Sequence, residues 1–95
     1  MDRVTLSKIG LALANELKSL SETYNVRSDA CDILGYEAAT VEEEALDLVN
    51  GTRVQENIKD STLLSKWGSV LAGKIPEVAK RVKEFHEQYH HAKHT

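Results

Sequence analysis

Leu6, Ile9, Leu13, Leu17, Leu20 and Tyr24 are separated by 3, 4, 4, 3 and 4 positions. That rhythm lines side chains up along one stripe of an α-helix and would scatter them over both faces of a strand. It predicts a helix from about Asp2 to Tyr24, with Arg3, Lys8, Glu16, Lys18 and Glu22 on the opposite face. One helix cannot bury its own apolar stripe, so the rest of the chain has to supply helices that cover it.

Further helices follow from capping and stop signals. Ser28 and Asp29 can cap a short helix through Leu34, closed by Gly35, the residue that takes a left-handed conformation most cheaply. Thr40-Val41-Glu42-Glu43 has capping-box spacing and predicts a separate helix from Val41 to about Val49, stopped by Asn50-Gly51. Val54 and Ile58 permit one or two turns in an otherwise polar segment. Asp60 or Ser61 then caps a helix whose Leu63, Leu64, Trp67, Val70, Leu71 and Ile75 form the broadest apolar face, with Trp67 as its anchor. Pro76 suits the first position of a last helix, where its missing N–H costs nothing. Val78, Val82, Phe85 and Tyr89 carry that helix to about His90. No run alternates with a period of two, so the fold class is all-α: a compact bundle of four to six helices, one domain over residues 1–95 with a frayed His-rich tail at about 90–95.

A chain of 95 residues with 41 % apolar side chains supports one core and hides only about 60 to 65 % of its unfolded surface. Together with the long Leu6 to Tyr24 stripe, this predicts a homodimer. Cys31 is the only cysteine, which excludes an internal disulfide and suits a reducing cytoplasm. The longest apolar stretch, Ile9 to Ala14, is far short of the roughly 20 residues of a membrane span. No membrane partner is expected.

Charge is distributed unevenly. Residues 1–30 carry four acids and four bases, 31–60 eight acids and two bases, and 61–95 three acids and six bases. An acidic middle beside a basic tail can pair within the monomer or across a homodimer, or present an acidic surface to a basic partner, which chiefly speeds association.

Three patterns bear on chemistry. Residues Ser28 to Gly51, with Ile33-Leu34-Gly35, a connector, a second helix and a closing Asn50-Gly51-Thr52-Arg53, resemble the helix-turn-helix of phage-type repressor domains. That resemblance implies DNA binding, and Lys74, Lys80, Arg81 and Lys83 would supply the phosphate contacts. Against it, the helix that should enter the major groove opens with Glu42, Glu43 and Glu44, which phosphates repel. Glu43-Glu44-Ala45-Leu46-Asp47, followed by Glu56 and Asp60, resembles the acidic motifs of all-α nucleotide pyrophosphohydrolases and would imply Mg²⁺ held by carboxylates. Its second motif has three intervening residues instead of two. His86, His90 and His94, spaced i, i+4, i+8, are weak candidates for Zn²⁺ or Ni²⁺, with no cysteine nearby.

With no catalytic constellation assembled, the sequence points to a non-enzymatic, cofactor-free regulatory or inhibitory protein. It would bind a basic surface on a protein partner stoichiometrically, as antitoxins, immunity proteins, anti-activators and phage inhibitors do, through Glu42, Glu44, Asp47 and Glu56. The alternative is a small helix-turn-helix-like transcriptional regulator.

Overall fold

The computed structural model describes residues 2–51 and 76–94. Among them are three α-helices and no strand: α1 (Arg3–Glu22), α2 (Asp29–Asn50) and α3 (Pro76–His94). The four to six helices that the sequence suggests are not confirmed there: two of them merge in α2, the last is α3, and the Trp67 face and the Val54–Ile58 turns lie outside the described residues.

Asp2 starts α1: its carboxylate accepts the Thr5 N–H at 2.7 Å, and this bond holds the Asp2 carboxyl below the usual aspartate range. Leu6, Leu13 and Leu17 of the stripe are buried, Leu20 and Tyr24 lean on the core, and Ile9 stays 43 % exposed. The stripe is thus used largely inside the chain. Thr23 closes the helix, and Ser28 caps the next by accepting the Cys31 N–H at 3.2 Å.

From Asp29 the chain does not break at Gly35. Residues 29–50 form one helix of 22 residues, so the separate helices through Leu34 and from Val41, and the capping box at Thr40, do not form. Thr40 instead sits mid-helix, its hydroxyl donating to the Tyr36 carbonyl one turn back at 3.1 Å. Glycine costs only about 1 kcal/mol in a helix interior, and burial of Ile33, Leu34, Ala38, Val41, Ala45 and Leu48 along one continuous face outweighs it. The stop predicted at Gly51 is present, with φ +68° and its N–H bonded to the Asp47 carbonyl. A helix-turn-helix needs a turn inside this segment, and there is none.

Helices α1 and α2 pack antiparallel, as the pairings Ser7 with Ala45 and Lys18 with Glu42 show. Gly10 permits the closest approach: a Cβ there would lie 2.5 Å from Phe85 Cζ and 2.9 Å from Ala45 Cβ. Val78, Val82, Phe85 and Tyr89 of α3 are all buried in the groove between α1 and α2. This helix runs antiparallel to α1, with Glu16 near Arg81 and Arg3 near Ala92, and parallel to α2. Among the described residues α3 continues through His94, and Arg3 donates to the Ala92 carbonyl at 2.9 Å. That carbonyl is one of the four a helix end leaves without an internal donor. The Cα radius of gyration is 12.8 Å, close to the roughly 12 Å expected for a compact chain of this length. None of the described helices is long and apolar enough to cross a membrane.

Candidate functional site

The sequence of α2 contains seven carboxylates (Asp29, Asp32, Glu37, Glu42, Glu43, Glu44 and Asp47) and no Lys, Arg or His. A single helix divides these charges into an inner and an outer set.

The inner set is Glu37, Glu44 and Asp47, at i, i+7 and i+10, a spacing that keeps them on one face. Each is buried, Asp47 completely. Opposite stand His86, Tyr89 and Lys93 of α3, at i, i+3 and i+7. His86 lies between two carboxylates, with Nε2 bonded to Glu37 Oε1 and Nδ1 2.6 Å from Glu44 Oε1. A neutral ring would aim a lone pair at one of these anions, so the site selects the imidazolium. Burial alone would push the His86 pKa down, but the two carboxylates outweigh it and raise it to about 9. Asp47 Oδ2 accepts the Tyr89 hydroxyl at 2.5 Å and meets Lys93 Nζ at 2.8 Å. Burial raises the Asp47 pKa, yet these contacts bring it below the usual value, while burial and the same carboxylate push the Tyr89 phenol up. Oε1 of Glu44 has only its ion contact, and Oδ1 of Asp47 has no hydrogen bond. Removing one member of such a buried set strands its partner's charge.

Two of the four positions expected to face a partner, Glu44 and Asp47, are therefore turned inward and neutralised by α3. Glu42 is half-buried and sits 3.7 Å from Lys18, and Glu56 lies outside the described residues. Four of the seven acids of α2 thus pair within the chain: Glu37 and Glu44 with His86, Asp47 with Lys93, and Glu42 with Lys18.

Lys74 lies outside the described residues, Arg81 is held by Glu16 at 2.5 Å, and Lys80 and Lys83 are exposed on α3 among Glu84 and Glu87. His86 and His90 are each engaged by neighbours of their own. Both nitrogens of His86 are engaged, His90 packs edge-on against Tyr89 with ring centroids 5.5 Å apart, and His94 ends the helix. Among the described residues no three His, Cys, Asp or Glu side chains are placed to share a metal ion. Cys31 is half-buried. A shallow groove between the start of α1 and the end of α3 collects Asp2, Arg3, Glu87 and His91, with no nucleophile among its lining residues.

The outer set is a surface that sequence reasoning missed. Asp29, Asp32, Tyr36, Ala39, Glu43, Leu46 and Asn50 are all exposed, and they are spaced 3, 4, 3, 4, 3 and 4. Tyr36 and Leu46 keep 42 % and 37 % of their surface in solvent. Asp29, Asp32 and Glu43 make no ion pair among the described residues. The signal was present in the spacing but interrupted by the predicted stop at Gly35; only a continuous helix puts position 32 and position 43 on one stripe. Comparison with family models, curated proteins and solved structures returns no match for this chain.

Proposed function

We propose that this chain is a small regulatory or inhibitory protein that acts by occupancy, docking the outer face of α2 stoichiometrically on a basic surface of a larger protein. The observation that carries this reading is the outer stripe itself. It combines two large exposed apolar side chains, Tyr36 and Leu46, with three exposed acids, and α2 holds no base that would neutralise them. Aromatic and aliphatic anchors exclude water at an interface, and unpaired rim charges steer the encounter. The acidic region anticipated from sequence keeps its role, but the residues change: Asp29, Asp32 and Glu43 take the place of Glu44 and Asp47, with Glu42 at the rim.

Affinity purification followed by calorimetric titration of the co-purifying protein tests the proposal, with an integral stoichiometry expected. Asp32→Asn with Glu43→Gln should then slow association and flatten its salt dependence while dissociation changes little. A salt-dependent shift of duplex DNA in the absence of any protein partner would replace this reading with the nucleic-acid one.

A further inference from the structure

The outer stripe of α2 also constrains the shape of what binds it, on the assumption that α2 is the docking face. Its alternation of three and four has the spacing of a coiled-coil seam from Asp29 to Asn50, with Tyr36, Ala39 and Leu46 at apolar positions and Asp29, Asp32, Glu43 and Asn50 at polar ones. Seven-residue steps drift by only about 20° per heptad on a straight helix, so the seam stays on one side for the whole length. A flat basic surface would need only the charges; a seam is complementary to another rod.

The same helix already holds a helix on its other face, and the chemistry there is a template. Apolar Phe85 and Tyr89 of α3 are buried, and flanking His86 and Lys93, seven residues apart, meet Glu37, Glu44 and Asp47. Outside, Asp29 and Asp32 stand at one end, Tyr36 and Ala39 follow, and Glu43 and Leu46 come after. Asp32 and Glu43 are 11 positions apart, about 16 Å along the axis at 1.5 Å per residue.

We propose that the partner element seated on α2 is a basic amphipathic α-helix of at least four turns, with cationic side chains about three turns apart enclosing an apolar centre. The cations meet Asp29 and Asp32 at one end and Glu43 at the other, and the apolar centre covers Tyr36 and Ala39. A second copy of this chain is a poor occupant of the stripe, because two outer stripes would bring three carboxylates each into one interface and α2 supplies no base to offset them.

The test uses the full-length chain and a synthetic 22-residue helical peptide with Leu and Ala on its seam and Lys at positions facing 32 and 43. Two controls are a scrambled peptide of equal charge and a version with Glu replacing Lys. Backbone amide shifts should saturate at one peptide per chain and map to positions 32, 36, 39, 43 and 46, with the scrambled peptide at least tenfold weaker and the Glu version silent. Tyr36→Lys and Leu46→Lys, at exposed sites whose folding circular dichroism checks, should each weaken the designed peptide at least tenfold. Equal binding of the scrambled peptide, or shifts away from the stripe, overturns the proposal. So does a concentration-dependent dimer in light scattering that Leu46→Lys abolishes, because it identifies the occupant as a second copy. If Tyr36→Lys abolishes binding of the isolated native partner while no helical peptide binds, the helix inference falls and the docking face stands. If Tyr36→Lys leaves the native partner's binding intact, the docking face itself is wrong.

Discussion

Tyr89 donates its hydroxyl to Asp47 at 2.5 Å, and Asp47 is the one carboxylate of α2 with no measurable exposure. The bond joins the middle of α3 to the last turns of α2, and with Lys93 it is what keeps a charge inside the core. Tyr89→Phe leaves the ring's packing and removes the donor. Hydrogen bonds to charged groups contribute about 1.5 to 3 kcal/mol, and urea denaturation of this variant should show a loss in that range. An unchanged midpoint would mean that Lys93 alone satisfies Asp47.

The His86 contacts predict an alkaline loss of stability. The folded pKa of about 9 lies above the ordinary value of 6.5, so the native state holds a proton that the unfolded chain has released. The stabilisation is fully present below pH 6.5 and is lost as pH rises through 9, with a slope of at most about 1.4 kcal/mol per pH unit from this one group. Thermal midpoints from pH 6 to 10 should fall for the natural chain. His86→Gln should be less stable at pH 6 and show a flatter profile over the same window. Parallel profiles for the two proteins would remove His86 from the account.

Gly10 and Gly35 should respond oppositely to alanine. At Gly10 the new methyl would meet the buried Phe85 ring at 2.5 Å and Ala45 at 2.9 Å, and overpacking of that kind typically costs about 1 to 3 kcal/mol. At Gly35 nothing lies within 4 Å of the new atom, and the helix continues through the position. Gly35→Ala should therefore stabilise by about 0.5 to 1 kcal/mol. Paired denaturation curves check both signs at once.

Arg3 should control the order of the chain's last turn. Its guanidinium is what closes the Ala92 carbonyl, 89 positions away. In Arg3→Ala, amide exchange at residues 91–94 should accelerate while the buried middle of α3 around Val82 and Phe85 keeps its protection. Uniform acceleration along α3 would mean that the whole helix depends on this contact.

The apolar periods of α1 and α3 were legible in the sequence because each is a local pattern. Leu6, Leu13 and Leu17, and all of Val78, Val82, Phe85 and Tyr89, are where a 3.6-residue repeat puts them, and Ser28, Gly51 and Pro76 mark ends through conformational preferences that need no neighbour. What the residues could not announce locally was α2's continuity. Gly35 and the Thr40 capping box are genuine stop and start signals, each worth about 1 kcal/mol, and both lost to the burial of one unbroken apolar face against α1 and α3. That decision sorted the acids as well. Position in sequence makes Glu42, Glu43, Glu44 and Asp47 look like one acidic cluster, but the 100° step per residue sends Glu44 and Asp47 to His86 and Lys93, Glu42 to Lys18 and Glu43 to solvent. Local propensity determined which segments became helices; which carboxylates became core and which became surface depended on helices brought together from opposite ends of the chain.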